Sequence, residues 1–366
     1  MNAVVLDRFG GVDELSSRRI PLPEVGDDDV LIRVEFAGVG SWDAAEREGD
    51  YDGAFGVQST FPYVLGWDAA GTVAALGRNV TRFDVGERVY AATMPVPRGG
   101  FYADYGVVEA EFVARVPDRL PAEQAGAMAW DALTALSGLD LLGLRPDETL
   151  MVFGASGGIG HMAVQLARHS GIRALAVASG DDGVALARRL GADDAIDGRK
   201  DDVLAAAFEF APGGLDAALV TMGGEAAERS LRAIKNSGRI AWPNGVLPVP
   251  VTSPGATVSY YDGDRSRTAT DRLNAIIEAS SLEVHVARTF PLERVKDAHR
   301  PSMITMSASW PSRSDRTQQA ARGSGVSGSS HRPRLMSGPS RRWPRGWAVS
   351  LAGSAAQVTS CLPGDR

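Results

Sequence analysis

Residues 151–161 read Met151-Val152-Phe153-Gly154-Ala155-Ser156-Gly157-Gly158-Ile159-Gly160-His161. An apolar strand-like stretch leads into the glycines. The segment that follows places Ile159, Ala163, Leu166 and Ser170 on one helical face. Glycines at 154, 157 and 160 allow a tight turn, close approach to a pyrophosphate and close packing of helix on strand. The first helical turn then offers free N–H groups and a positive dipole end to phosphate oxygens, with Ser156, Gly158 and Ile159 completing the candidate cradle. The same letters admit a second chemistry. Gly154-Ala155-Ser156-Gly157-Gly158 fits G-x-S-x-G, with Ser156 as a hydrolase nucleophile and His285 or His299 as its downstream base. That elbow has no use for Gly160, and hydrolases place most of their sheet before the serine. Dinucleotide binding is the preferred reading.

The next strand ends Val177-Ala178-Ser179-Gly180, without the carboxylate that accepts from the ribose 2′-OH of NAD. A 2′-phosphate would not be repelled there, and Ser179 could donate to it. Asp181 and Asp182 follow closely and no arginine is adjacent, both of which count against this; Arg199 and Lys200 are the nearest later candidates. NADPH is the expected cofactor. Further along, Thr221-Met222-Gly223-Gly224 and Pro243-Asn244-Gly245 follow successive strand-like runs, at the ends where open α/β sheets hold ligands. Met222, Gly223, Asn244 and Gly245 are therefore candidate cofactor contacts. Their plain alternative is that they are ordinary strand-ending turns.

These residues need elements to position them. Residues 3–6, 30–37, 71–76, 88–92, 101–108 and 112–116 read as short strands punctuated by glycine and proline, which predicts a barrel or sandwich. From Pro121 the period changes. A helix is expected over 121–142, and strand-like runs then alternate with helices at 150–153, 158–170, 174–178, 183–190, 217–220, 225–235 and 239–242. Strands separated by single helices imply parallel pairing and a doubly wound domain.

The whole chain carries −7 over 366 residues, and the total hides a split. Of the 38 Lys+Arg and 45 Asp+Glu, nine arginines and two aspartates fall in residues 301–366, leaving the first 300 residues at −14 and the tail at +7. An acidic body argues against nucleic-acid binding. The single cysteine, Cys361, lies in the tail, so the body has no disulfide framework and no thiolate metal site. The amino terminus lacks a basic region followed by a long apolar run, and no stretch nears the ~20 apolar residues of a membrane span. A cytoplasmic protein acting on a small molecule is expected.

Further segments carry a resemblance. Ala37-Gly38-Val39, Phe61-Pro62-Tyr63-Val64-Leu65-Gly66-Trp67-Asp68-Ala69-Ala70-Gly71, Val85-Gly86-Glu87-Arg88-Val89-Tyr90, Leu133-Thr134-Ala135 and Leu190-Gly191-Ala192-Asp193, with the glycine turn, resemble the medium-chain dehydrogenase/reductase superfamily from the first strand to about His299. The resemblance implies a GroES-like β-barrel catalytic domain (1–125), a Rossmann coenzyme domain with a doubly wound parallel sheet (126–265) and a segment returning to the first domain (266–300). It also implies a substrate cleft between the domains and a homodimer. Zinc-dependent members carry a cysteine after Ala-Gly-Val and a Gly-His-Glu motif. Gly40 and Gly66-Trp67-Asp68 stand there instead. Glycine and tryptophan cannot ligate zinc, so the zinc-free quinone reductase and enoyl reductase branch fits better. Its chemistry is hydride transfer to a quinone or to the β-carbon of an activated alkene. By the same resemblance Thr134 lines the nicotinamide ribose. Tyr51 could donate a proton or hydrogen bond to a substrate oxygen, and Asp43 orients the loop; a loop aromatic and a turn cap are the plain alternatives. Zinc-free relatives often have Asn at the place of Gly40, and its absence removes a polar group. A defective or non-catalytic NADPH-binding protein is accordingly the second hypothesis.

After His299 the likeness stops. Residues 301–366 are rich in Ser, Arg, Gly and Pro with few aliphatics, which predicts disorder. They fit translation out of frame in a GC-rich gene, with a natural basic tail as the alternative. If the tail is genuine, the family's last apolar strand is missing and its neighbours lose their cover.

Overall fold

The computed structural model describes residues 1–53, 58–94, 100–252, 255–300 and, as backbone alone, 306–309. The amino-terminal strands are β1 (Asn2–Leu6), β2 (Ser16–Arg19), β3 (Asp29–Val39), β4 (Tyr63–Val64), β5 (Asp68–Leu76), β6 (Arg88–Ala92), β7 (Tyr105–Glu109) and β8 (Val113–Arg115). One helix, α1 (Ser41–Glu48), follows β3, and two more, α2 (Ala122–Ala125) and α3 (Ala129–Leu142), lead out of the region. The helix expected over 121–142 is thus two. The break falls at Gly126, where an added Cβ would stand 2.7 Å from the Phe36 Cβ, so β3 runs directly beneath it.

Strands and helices then alternate: β9 (Thr149–Phe153), α4 (Gly158–His169), β10 (Arg173–Ala178), α5 (Gly180–Leu190), β11 (Asp194–Asp197), α6 (Val203–Phe210), β12 (Leu215–Val220), α7 (Glu225–Ser230), β13 (Ile234–Pro243) and β14 (Thr257–Tyr261). Helix α8 (Arg267–Ala279), β15 (Arg288–Pro291), α9 (Val295–Ala298) and β16 (Met306–Ser309) close the described chain.

The alternating half is one parallel sheet in the order β11-β10-β9-β12-β13-β14. This is the doubly wound order, whose direction reverses between β9 and β12. Leu150, Val152, Ala174 and Ala176 are buried on the face covered by α3 and α4, and Met151, Phe153, Leu175 and Val177 on the other. A strand buried on both faces runs apolar along most of its length, and β9 (Thr-Leu-Met-Val-Phe) is buried throughout, its one polar side chain, Thr149, donating to Asp216.

In the first half, β2-β1-β4 is a three-stranded antiparallel sheet. The second sheet runs β15-β16-β3-β5-β6-β8, and β7 also pairs with β3. Strand β3 is 11 residues long and changes neighbour along its length: β7 pairs with Asp29–Arg33 and β16 with Phe36–Val39. Phe290, Leu292, Val295 and Ala298 are buried in the first half's core. One expectation about the tail is corrected. Met306–Ser309 fills the slot between β3 and β15, antiparallel to one and parallel to the other. The rest of the tail, on which the predictions of disorder and frame shift fall, lies outside the described residues. Among the described residues no helix is long and apolar enough to cross a membrane.

Candidate active site

A cavity of about 1250 Å³ opens where the two halves meet, lined by Gly38, Gly40 and Trp42 from the first half and by the glycine turn, Ser179, Thr221 and Met222 from the second. Its floor is the crevice between β9 and β12. Gly154 sits at φ 88° there, and a Cβ on it would meet Thr221 Oγ1 at 2.3 Å, so the turn requires glycine twice over. Thr221 Oγ1 donates to the Phe153 carbonyl (3.0 Å), tying the two strand ends together. Gly157 caps α4 without any side-chain hydrogen bond, which leaves the helix's first amides open to a ligand. Gly160 does not line the cavity. A Cβ there would lie 2.1 Å from the Gly154 carbonyl, so this glycine lets helix and turn touch.

Ser156 lines the cavity, and its Oγ accepts the Ser179 N–H at 3.2 Å, pinning the glycine turn to the end of β10. The hydrolase alternative fails here. Neither candidate base bonds Ser156 among the described residues, and the Arg47 guanidinium donates to His299 Nδ1 at 3.0 Å. Arg199 lines the cavity beyond Ser179, and no ion pair of its guanidinium is present among the described residues. Lys200 is held by Asp181 at 2.7 Å and Asp197 at 3.4 Å. The residues therefore suit a dinucleotide: a glycine-rich turn, an uncapped helix start and a hydroxyl with a cation at the second strand end.

The remaining sequence-predicted residues divide. Ser156, Gly157, Gly158, Ile159, Ser179 and Met222 join Gly154 in the lining, whereas Gly223, Asn244 and Gly245 do not. Thr134 is buried in α3, its Oγ1 without a partner among the described residues and covered by Gly263, where a Cβ would come within 2.6 Å. Asp43 is fully buried under the cavity. Its carboxylate accepts the Gly40 N–H at 2.7 Å and so caps α1, the plainer of its two expected roles. Burial pushes its pKa up to about 7. Tyr51 is not among the lining residues either. Its ring packs on Trp67 with centroids 5.5 Å apart, its hydroxyl faces Gly245, and burial with the Glu46 charge raises its pKa to about 12.

Around the zinc motif's place, three indoles converge. Trp67 and Trp130 meet edge-to-face at 4.6 Å, and Trp42 stands 6.5 Å from each. A Cβ on Gly40 would lie 2.4 Å from the Trp42 ring, so Trp42 occupies the space that a side chain at 40 would take. Trp67 donates its Nε1–H to Glu46 at 2.5 Å, and the Tyr63 hydroxyl donates to the other oxygen. Glu46 is buried, and its pKa is pushed up to about 8 by that burial and by Asp43.

Two carboxyls were missed by the sequence reading. Asp68 accepts the Trp130 backbone N–H at 2.7 Å. Asp131 lines the cavity beside Gly158, and its buried Oδ1 has no partner among the described residues. Burial, and then the Asp43 charge, raises the Asp131 pKa to about 8. The signal was present: an aspartate flanked by apolar residues in the first turn of the Ala129–Leu142 helix, where only a buried face awaits it.

A strand-rich half, a 3-2-1-4-5-6 parallel half and a ligand cleft at the sheet's switch point define a two-domain nucleotide-dependent oxidoreductase architecture. Residues 26–118 match the alcohol dehydrogenase GroES-like domain, and residues 158–246 match the zinc-binding dehydrogenase domain. An alcohol dehydrogenase of Rhizobium meliloti is 32% identical over 279 residues, covering 69% of this chain and 80% of that protein. The NADPH-dependent alkenal/one oxidoreductase, chloroplastic, of Arabidopsis thaliana is 31% identical over 308 residues, covering 81% and 75%. A mycobacterial structure complexed with NADPH superposes with a TM-score of 0.74 at 25% identity, over 84% of this chain and all of that one. The chain belongs to the medium-chain dehydrogenase/reductase superfamily.

Proposed function

We propose that this protein is a zinc-independent, NADPH-dependent reductase that delivers hydride to a quinone or to the β-carbon of an activated alkene. The observation that carries the reading is what stands at the zinc-motif positions. The places of the zinc motif hold Gly40, with no side chain, and Trp67, whose indole acts as a donor to Glu46. A reaction there must run on hydride transfer shaped by protein groups alone. The likeness to an Arabidopsis protein named an NADPH-dependent alkenal/one oxidoreductase supports the acceptor class.

Gly154, Gly157 and the first amides of α4 would hold the pyrophosphate, and Ser179 with Arg199 the 2′-phosphate. Ile159 and Met222 form apolar lining beside them. When bound, NADPH supplies the hydride. Trp42 lines the cavity with Trp67 and Trp130 packed against it, and its ring would offer flat apolar surface to a conjugated acceptor. We also place the protein as a homodimer. Strand β14 is the outer strand of the parallel sheet, with Val258 and Tyr260 exposed along it, which supports pairing with a second copy.

The test is NADPH oxidation by the full chain against a panel of quinones and enones, with and without a chelator. Chelator-resistant turnover is expected. Alcohol oxidation that disappears on chelation would overturn the reading. A second reading, a non-catalytic NADPH-binding protein, is favoured by the Trp42 ring in the space of a side chain at 40. Tight NADPH binding with no turnover on any acceptor would select it.

A further inference from the structure

We propose that Asp131 is the proton donor that completes the reduction in this cleft, a role that rests on the reductase reading above. The stoichiometry demands such a group for either acceptor. When hydride adds to the β-carbon of an enone, the alkene π pair shifts and the carbonyl oxygen becomes an enolate. A quinone becomes a hydroquinone monoanion. One proton must follow. In the step proposed, the Asp131 O–H bond breaks, its electron pair stays on the carboxylate, and the proton passes to the enolate or the phenolate. Solvent entering from the cavity mouth then returns a proton to Asp131.

Three observations converge on this side chain. Asp131 is 97% buried, and the little it exposes lines the cavity beside the glycine turn. Its Oδ1 has no hydrogen-bond partner among the described residues. The charged and titratable groups around it leave the carboxyl with no counter-ion: Asp43 on α1 and Asp68 on β5 are both acids. His161 on α4 is neutral, bonded through Nδ1 to the Gly157 carbonyl. Arg265, ahead of α8, is spent over the Trp130 and Phe112 rings. A buried carboxyl with neither donor nor cation takes up a proton instead of a charge.

The site also suits the carboxylate formed at the moment of transfer. Asp131 lies in the first turn of α3, and a Cβ on Gly158 would stand 2.1 Å from its Oδ2, so the carboxyl abuts the first residue of α4 as well. The positive end of its own helix, α3, lies beside it. Tyr51, the donor expected from sequence, is a weaker acid and lies off the lining.

The experiment compares wild type, Asp131→Asn and Asp131→Glu as full chains. NADPH affinity is read by fluorescence titration, kcat as a function of pH with one enone and one quinone, and the protonated-carboxyl band by infrared difference without cofactor. Asp131→Asn should lose the infrared band present in wild type at neutral pH and lose ~100-fold or more in kcat at saturating NADPH. Asp131→Glu should recover pH-dependent turnover, and wild-type kcat should fall above about pH 8. Asp131→Asn with wild-type kcat and pH profile, or a wild-type spectrum with no band that Asp131→Asn removes, overturns the proposal. Should Asp131→Asn fail to fold, Asp131→Glu decides: a pH profile unmoved from wild type counts against the role, and a displaced alkaline limb supports it. Wild type that binds NADPH and reduces no acceptor overturns the reductase reading and this role together. An active Asp131→Asn overturns this role alone.

Discussion

The Asp68 carboxylate accepts the Trp130 backbone N–H at 2.7 Å, which fastens strand β5 to the first turn of α3. Helix α3 has no side-chain cap of its own, for its N-cap residue is Met128. A residue from the other half of the molecule therefore does the capping. The consequence is positional. The same turn carries Asp131 and, one turn on, Thr134, so the bond sets where both face relative to the cavity wall.

Asp68→Ala removes that acceptor and strands a buried N–H. A loss of about 1–3 kcal/mol in unfolding free energy is expected, measured by urea denaturation. Asp68 is fully buried near Asp131, and that burial holds its pKa well above the ordinary carboxylate range. The neutral isostere Asp68→Asn keeps an acceptor oxygen and should be much milder than alanine. Equal losses for the two variants would show that the bond to Trp130 contributes little.

Gly160→Ala tests the turn. The added methyl would sit 2.1 Å from the Gly154 carbonyl and 2.7 Å from the Ala155 Cα, both backbone atoms that cannot swing aside. Helix α4 must move off the turn, so NADPH affinity should fall at least tenfold, the scale of ~1–3 kcal/mol for overpacking. Isothermal titration calorimetry measures it. An affinity equal to wild type would mean that the pyrophosphate lies elsewhere.

Arg199→Ala addresses cofactor choice. Its guanidinium lines the cavity beyond Ser179, while Lys200 is engaged by Asp181 and Asp197. The variant should lose NADPH affinity by the ~1.5–3 kcal/mol of a hydrogen bond to a charged group, with NADH affinity unchanged. Lys200→Ala should leave the NADPH/NADH ratio as it is. Parallel fluorescence titrations with the two cofactors decide the matter, and a ratio unmoved by Arg199→Ala removes this residue from 2′-phosphate recognition.

What the sequence made legible follows from how local its physics is. The parallel sheet and the glycine turn were readable because apolar runs of strand length, helical periodicity and the glycine spacing are all encoded within short windows. Helix α1 was not, since its eight residues Ser-Trp-Asp-Ala-Ala-Glu-Arg-Glu look like a polar loop until Asp43, Glu46 and Arg47 are seen to be buried. The carboxyl pair was hidden for a stronger reason. Asp68 and Trp130 are 62 positions apart, and only the fold brings them together. The slot for β16 likewise depends on β3 and β15, not on any pattern in Met306–Ser309.

The buried carboxyls give a pH dependence of stability whose sign can be worked out. Asp43, Glu46 and Asp131 have pKa values raised to about 7, about 8 and about 8 from ordinary values of 3.8, 4.5 and 3.8. Between those limits the native state holds more protons than the unfolded chain, so stability falls as pH rises. His161 and His299 act the other way. Burial lowers them from 6.5 to about 4 and about 3, so the unfolded chain holds more protons and stability rises with pH until 6.5. The histidines thus offset part of the carboxyl effect below pH 6.5, and above it the carboxyls act unopposed by them. The melting temperature should decline from pH 6.5 to about 8, measured by scanning calorimetry in buffers of matched ionic strength. Asp131→Asn, which cannot ionise, should make that decline shallower. A melting temperature that climbs across this window would mean that these carboxyls are ionised in the native protein.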